Sequence, residues 1–447
     1  MQIIQNRIVF KFIYALMTFF ANAWNHSLLN RCVQGLGFSW EHSAAKRRWI
    51  FFYSRKDPAA YSLWAKLLEG IEAVFLWIGK LLQASLFYRL VCGLKDLYFK
   101  LTKNSLVCGW INRLSLKQWF YIAFACYLPL EYLLRDLLHL GIAGIWEELF
   151  ILLGGVFVCW RSCFEEHKGV LSRASSVEAA LVLYILVGMA LMLLIRPYPA
   201  IALAGYRAQF EYLIWFMLIL RLIDTKKDAR FLIYAFLAVM TVLSLHGIYQ
   251  FIIAVPIPAS WTSQGESAVR TRVFSLTGSP NIFGALLILS APIAAALMYY
   301  CKKTWQKIFF LAVTFLICPG DLFNLSKGSW IGLAAAVVLF AFLVDRRLLG
   351  LMAAGIGAIL VAVPSITNRI AYVFTADYAM RSAAAGRTMR WKAGLDLLYR
   401  SNKWLGFGLG LFGGAVAMNN RVLEETNEFK YFTLDNYYMK TLVEMGC

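Results

Sequence analysis

Apolar residues run along this chain in long unbroken stretches, without the strict alternation of half-buried strands. Several stretches approach the ~20 residues needed to cross the roughly 30 Å hydrocarbon core of a bilayer. In lipid each backbone amide needs an internal partner, so such runs are expected to be helices. A β-barrel would show short alternating segments instead. The pattern predicts spans at roughly 119–141, 143–160, 178–195, 207–223, 230–256, 281–301, 305–320, 328–344 and 347–363, with another starting near 434. The expected fold class is all-α: a polytopic integral membrane protein of about ten transmembrane helices with a large extracytoplasmic loop. Two intervals fit the pattern least well. The stretch 207–223 is short for a span, and 119–160 contains Glu131, Arg135, Asp136, Glu147 and Glu148.

Residues 1–118 follow a different pattern. Arg7 and Lys11 precede the apolar run Phe12 to Phe20 and then Ala21-Asn22-Ala23, which imitates a secretory signal with its cleavage site. Cleavage there would export residues 24–118 with fourteen positive charges, against the tendency of such charges to stay inside. An internal repeat accounts for the region better. Ser27 to Leu36 matches Ser85 to Leu94 at Ser, Leu, Arg, Val, Gly and Leu, and a weaker third copy begins at Ser105. Aromatics and Lys/Arg flank each copy, the mixture of helices lying along a bilayer surface, and this reading is favoured over tilted core helices.

Composition agrees with the pattern. Hydrophobic residues make up 60% of the chain and charged ones 15%, with mean hydropathy +0.62. Soluble domains carry about 25% charged residues. The formal net charge of +19 is concentrated early, with sixteen Lys/Arg against five Asp/Glu in residues 1–118. Beside a membrane, such a surface favours anionic lipid heads. No zinc ligand set or basic-helix motif points to nucleic acid. The nine cysteines are scattered without a CxxC pair, and read as small buried apolar residues. Charge also sets the orientation. Loops 161–177, 221–230, 302–307 and 345–347 carry twelve Lys/Arg, and the short loops on the other side carry five. The amino terminus is therefore expected in the cytoplasm. The domains expected are a basic, amphipathic repeat region at the membrane surface (1–118), a transmembrane bundle (119–363), an extracytoplasmic loop (364–433), and the start of a final transmembrane helix (434–447). That last helix stops after three turns at Cys447, so a truncated chain is expected.

Candidate chemistry collects at the outer ends of spans and in the long loop. The sharpest feature is Arg270-Thr-Arg272-Val-Phe-Ser-Leu-Thr-Gly-Ser-Pro280-Asn281-Ile-Phe-Gly284. Pro280 suits a first helical turn, which places Ser279 as the N-cap. The two arginines are spaced to approach one anionic group, and guanidinium forks bind phosphate oxygens bidentately. Anchoring to lipid head groups is the plainer alternative. A second element, Asn324-Leu-Ser326-Lys327-Gly328-Ser-Trp330, puts a lysine in a turn of small residues, where it could hold a phosphate or snorkel. The long loop supplies Gly386-Arg387-Thr-Met-Arg390-Trp391, in a stretch from Arg387 to Tyr399 that reads as helical. It then supplies Trp404-Leu-Gly406-Phe-Gly408-Leu-Gly410-Leu-Phe412. No βαβ unit surrounds these glycines, so they read as a tight turn whose backbone approaches a ligand or another helix. Finally Asp435-Asn436-Tyr437-Tyr438 opens the last helix, with Glu444-Met-Gly446 further on; a carboxylate at that helix N-terminus could also be a simple cap.

Taken in order, R-x-F-x-x-x-G-x-P-N-x-F (272–283), S-K-G (326–328), G-R-x-x-x-W (386–391), L-G-x-G-L-G-x-F (405–412) and D-N-x-Y-x-x-x-L-V-E-x-G (435–446) resemble the O-antigen ligase and polysaccharide polymerase superfamily of bacterial membrane glycosyltransferases. The motifs cover roughly 270–447; the preceding spans agree only in architecture, and residues 1–118 are not accounted for. The resemblance implies transfer of a sugar chain from a polyprenyl-diphosphate-linked glycan to an acceptor glycan hydroxyl, at the outer face of the bacterial cytoplasmic membrane. It implies no metal, nucleotide or other cofactor. It assigns Arg272 and Arg387 to the diphosphate, where charge accumulates as the sugar departs. Asp435 would take the acceptor's proton. Arg270, Asn281, Lys327, Arg390, Trp391, Trp404 and Asn436 complete the expected substrate-binding set. Ligases of this superfamily place a histidine where this chain has Asp435, and none of the five histidines lies in the long loop. Polymerases often show Asp-Asn there. The family's Ser-Arg-Gly turn reads Ser-Lys327-Gly here, which weakens a bidentate role at that site. The expected function is thus a polysaccharide polymerase. An O-antigen-type ligase acting on a lipid or protein acceptor is the close alternative, and a transporter of lipid-linked or polyanionic substrates the rival from another class. Membrane lipids and other polysaccharide-assembly proteins are the remaining partners expected.

Overall fold

The computed structural model describes residues 59–102, 105–164, 171, 175–195, 197–258, 261, 270–344, 347–362, 364–376, 380, 387–421 and 436–446. The signal-like stretch, the first repeat copy and Asp435 lie outside the described residues. Along the chain the helices are α1 (Ala59–Gln83), α2 (Leu86–Thr102), α3 (Leu106–Ile111), α4 (Leu116–Ala125), α5 (Tyr127–Tyr132), α6 (Trp146–Phe164), α7 (Ser176–Leu194) and α8 (Pro199–Leu222). They continue as α9 (Lys226–Ile252), α10 (Pro280–Tyr300), α11 (Thr304–Phe323), α12 (Lys327–Leu343), α13 (Arg347–Ala362), α14 (Pro364–Val373), α15 (Arg387–Arg400), α16 (Ala415–Asn420) and α17 (Tyr437–Met445). No strand occurs among the described residues.

Four of these are long and apolar enough to cross a membrane: Val177–Leu194 within α7, and α9, α10 and α11. The pair α1 and α2, which meet at a 75° bend, would make a fifth if they act as one span. The others expected from the hydropathy pattern fall short for visible reasons. Helix α12 has 17 residues and α13 has 16. Helices α6 and α8 carry Glu147, Glu148, Arg207, Glu211 and Arg221 along their length. The predicted span 119–141 is interrupted: α4 ends at Ala125, α5 contains Pro129, and Leu133–Leu137 winds as a π-helical turn carrying Arg135 and Asp136. A proline lacks an amide and crowds the preceding turn, so a break there follows from its presence. The second repeat copy opens α2, which leaves Leu86, Leu90, Leu94, Leu97 and Leu101 exposed along one stripe.

The chain forms two compact units. The first comprises Ile122–Leu138 and Phe231–Phe374 among the residues it includes. Its core lies between α9, α10 and α11, where Leu237, Met240, Leu243, Phe283, Leu287, Ala291, Ala294 and Ile317 are buried together. Leu128 of α5 packs against it. One buried polar group crosses this core without penalty, because the Ser244 hydroxyl donates to the Leu316 carbonyl at 2.6 Å. The π-faces of Phe251 and Phe323 stack with centroids 3.9 Å apart, holding the carboxyl ends of α9 and α11 together.

The second unit comprises His139–Arg230 with the described parts of Lys56–Tyr121 and Thr375–Cys447. Trp146 and Phe150 of α6 pack on Trp215 of α8. A buried ion pair between Glu178 and Arg221 ties α7 to α8. At the carboxyl ends of α6 and α8, Arg161 reaches Asp224 at 2.6 Å, and Lys117 donates to Asp224 and Asp228 at 2.7 and 3.0 Å. Near the start of α6, Arg207 faces Glu147 (3.6 Å), Glu148 and Glu211 (3.2 Å). The carboxyl ends of α6 and α8 therefore lie at one end of this unit, as alternating helices require.

Candidate functional site

In the first unit residues 270–279 form the turn that leads into α10, and the end of α11 meets it. The main chain of this mouth is strained at two places. Ser275 (φ 48°) and Leu325 (φ 55°) occupy the left-handed region that ordinary residues avoid. Surrounding bonds hold Ser275 there. Its amide donates to Gln250 Oε1 (2.7 Å), its carbonyl accepts from Gln250 Nε2 (3.3 Å), and its hydroxyl donates to the Leu243 carbonyl (2.9 Å). Such conformations cost about 1–3 kcal/mol and persist where neighbours over-determine them.

Arg272 is buried, at 7% exposure, and its guanidinium organises the mouth. Nε donates to the Asn324 carbonyl (3.2 Å), one terminal nitrogen to the Trp261 carbonyl (2.8 Å), and the other lies 3.5 Å from Asn281 Oδ1. Arg270 and Asn281 are exposed beside it. The expectation for Ser279 is met only in part. It occupies the N-cap of α10 in extended geometry, but its side chain makes no capping bond. Thr277 closes the turn instead, its hydroxyl lying 2.8 Å from the Ser279 carbonyl.

Beneath Arg272 lies a polar group that the sequence reading passed over. Asp321 is 1% exposed in the last turn of α11. Its Oδ1 accepts from Asn324 Nδ2 at 2.9 Å, and Asn324 Oδ1 in turn accepts the Ser326 amide (2.6 Å) and the Ser329 hydroxyl (3.1 Å). The other carboxylate oxygen of Asp321 is buried without a hydrogen-bond partner. The Ser326-Lys327 turn is therefore built on Asn324. Lys327 begins α12 with its ammonium 5.5 Å from the Tyr372 ring centroid. The signal for Asp321 was a lone carboxylate after Cys318-Pro319-Gly320 in an apolar run, and ionisable groups at such depth are seldom idle.

The second unit holds the remaining motifs. Arg387 is the first residue of α15, in agreement with the helix expected there; its side chain lies outside the described residues. Arg390 is half-buried, Trp391 is 37% exposed and Trp404 77% exposed. Asn436, the residue after Asp435, is the N-cap of α17, its side-chain oxygen accepting the amides of Tyr438 (3.0 Å) and Met439 (3.2 Å).

The glycine run between Trp404 and Phe412 approaches helices, one of the two alternatives left open by its sequence. Phe407 and Gly408 donate their amides to the carbonyls of Val443 (2.8 Å) and Glu444 (3.1 Å) at the end of α17. Gly406 and Gly410 both have φ +77°, and a Cβ on Gly410 would strike the Ile201 carbonyl and Gly205 of α8. Only glycine meets both demands. Glu444 is 1% exposed, accepts the Phe412 amide at 3.1 Å, and pairs with Lys440 at 3.4 Å. Lys440 also reaches Gln209 Oε1 of α8 (3.3 Å), whose Nε2 bonds to Tyr184 (2.7 Å) and Thr441 (3.3 Å). The E-x-G part of the final motif thus seats the glycine loop.

No curated protein and no solved structure matches this chain. A family model described as O-antigen ligase does match, over residues 312–447. That segment contains Asp321, Asn324, Lys327, Arg387, Arg390, Asp435 and the glycine loop. The match supports membership of the O-antigen ligase and polymerase superfamily, whose activities are of the glycosyltransferase type.

Proposed function

We infer that this chain is a polysaccharide polymerase of a bacterial cytoplasmic membrane, extending glycan carried on a polyprenyl diphosphate at the outer face. The acceptor sugar's hydroxyl attacks the anomeric carbon of the donor. The bond from that carbon to the diphosphate oxygen breaks, and the diphosphate leaves with the electron pair. Arg272 and Arg387 offset its growing charge, with Arg270, Lys327 and Arg390 adding positive potential. Asp435 takes the hydroxyl proton. Trp391 and Trp404, both accessible, offer faces for sugar rings. Neither metal nor nucleotide enters the scheme, because the leaving diphosphate already activates the donor. Arg272 spends donors on Asn324 and Trp261, so its charge rather than a free fork is its contribution.

The observation that carries the reading is the family match over 312–447, read together with the Asp435-Asn436 pair of the sequence, at a position where the resemblance gives ligases a histidine. The description of the matching family favours the second reading, ligation of finished glycan onto a separate acceptor. Incubating the purified protein with radiolabelled lipid-linked repeat in detergent separates them. A polymerase lengthens the lipid-linked chain unaided. A ligase consumes the donor only when a separate acceptor is added, and a transporter does neither. Arg387→Ala is expected to slow lengthening about 10²–10³-fold with folded yield unchanged, the usual scale for losing one transition-state donor. Full activity in that variant removes Arg387 from the scheme.

A further inference from the structure

Helices α9 and α11 of the first unit part over one stretch to leave a groove of about 560 Å³. That volume falls within the ~300–1,000 Å³ of ordinary ligand sites. Its walls are hydrocarbon: Leu237 and Val242 from α9, and Phe309, Val313 and Leu316 from α11. Thr241 also faces it, but its hydroxyl is spent on the Leu237 carbonyl at 2.7 Å. A polar ligand would find little here, whereas an alkyl chain lying along both helices would bury its length.

One end of the groove is different. Trp305, 64% exposed, and Gln306 line it in the first turn of α11. Lys302 and Lys303 occupy the turn between α10 and α11, and Lys307 follows; all three are exposed. None of them forms an ion pair among the described residues. A tryptophan among lysines at a helix end is the arrangement found at the headgroup level of a bilayer. Helices α9 and α11 run in the same direction with α10 returning between them, so this basic end is opposite the mouth that holds Arg272.

We propose that the groove between α9 and α11 is a binding site for an anionic glycerophospholipid, with one acyl chain along the groove and the phosphate among Lys302, Lys303 and Lys307. Basic pockets between helices at the headgroup level hold such lipids by this combination of apolar wall and charged rim. A polyprenyl carrier engaged through its diphosphate at Arg272 would present its charge at the other end, so the lysines call for a different lipid. The site does not depend on whether the enzyme polymerises or ligates.

Native mass spectrometry of delipidated full-length protein, titrated separately with dioleoylphosphatidylglycerol, dioleoylphosphatidylcholine and a polyprenyl phosphate, tests this. Wild type is expected to hold phosphatidylglycerol at least about tenfold more tightly than phosphatidylcholine, in line with three basic side chains at a headgroup. The variant K302Q/K303Q/K307Q should lose that preference and keep the weaker binding. Ala312→Trp, which fills the groove from an exposed position on α11, should weaken both lipids. A preference that survives the triple variant overturns the proposal. So does undiminished phosphatidylglycerol binding in Ala312→Trp, or tighter binding of polyprenyl phosphate through the same lysines.

Discussion

At the scale of single residues, Asp321 and Arg272 show how much of the mouth rests on a few polar contacts in an apolar setting. Asp321 serves Asn324, Asn324 serves the Ser326 amide and the Arg272 guanidinium, and the end of α11 is thereby joined to the turn before α10. Removing a buried partner exposes the remaining group to the full desolvation penalty of about 1–3 kcal/mol. Asp321→Ala should therefore lower the thermal unfolding midpoint in detergent, because the Asn324 amide loses its acceptor. Asp321→Asn retains an oxygen for that amide and should lose less. Equal midpoints for wild type and Asp321→Ala would show that Asn324 is held without it. Arg272 was legible from the motif around it. Asp321 was signalled only as a lone carboxylate in an apolar run, and Gln250 not at all, because one polar residue in an apolar helix does not reveal its partner. Gln250 finds its partner 25 residues along the chain, at Ser275, and only the folded main chain brings them together.

At the scale of elements, the hydropathy pattern located helices better than it distinguished their roles. The edges expected for 178–195, 230–256, 281–301 and 328–344 lie within four residues of α7, α9, α10 and α12. The stretch 119–141 failed because mean hydropathy is blind to a proline, here Pro129, while Glu131, Arg135 and Asp136 already marked it in the sequence as a poor fit. Pairing between helices was likewise invisible in the sequence. Glu178 and Arg221 sit in different apolar runs, yet meet as a buried pair between α7 and α8. Breaking such a pair by removing one charge costs about 3–5 kcal/mol, since the survivor is stranded away from water. Glu178→Gln should accordingly reduce the heat-resistant, monodisperse fraction in size-exclusion chromatography. Glu178→Gln/Arg221→Met, which strands no charge, should recover part of it. A double variant no better than the single one would argue that packing, not charge, joins these helices.

At the scale of the whole molecule, the distribution of lysine and arginine carries a statement about sidedness. The basic segments after Arg161 and at Lys302 to Lys307 are expected on the cytoplasmic side, and Arg270 on the outer side. In a background whose nine cysteines are replaced by serine or alanine, a cysteine at position 270 should react with an impermeant maleimide in intact cells. A cysteine at position 303 should react only after permeabilisation. The reverse pattern would put the proposed diphosphate site in the cytosol and end the polymerase reading.

Between Gly406 and Phe412, main chain meets main chain at the glycines, beside the buried side chains of Leu409 and Phe412. Such a seam tolerates changes in its outward side chains, such as Trp404, but not a change in its count of residues. Inserting or deleting one position would move the Phe407 and Gly408 amides out of step with Val443 and Glu444 at once, so this stretch behaves as a ruler, its glycine marks and its length fixed and only its outward letters free.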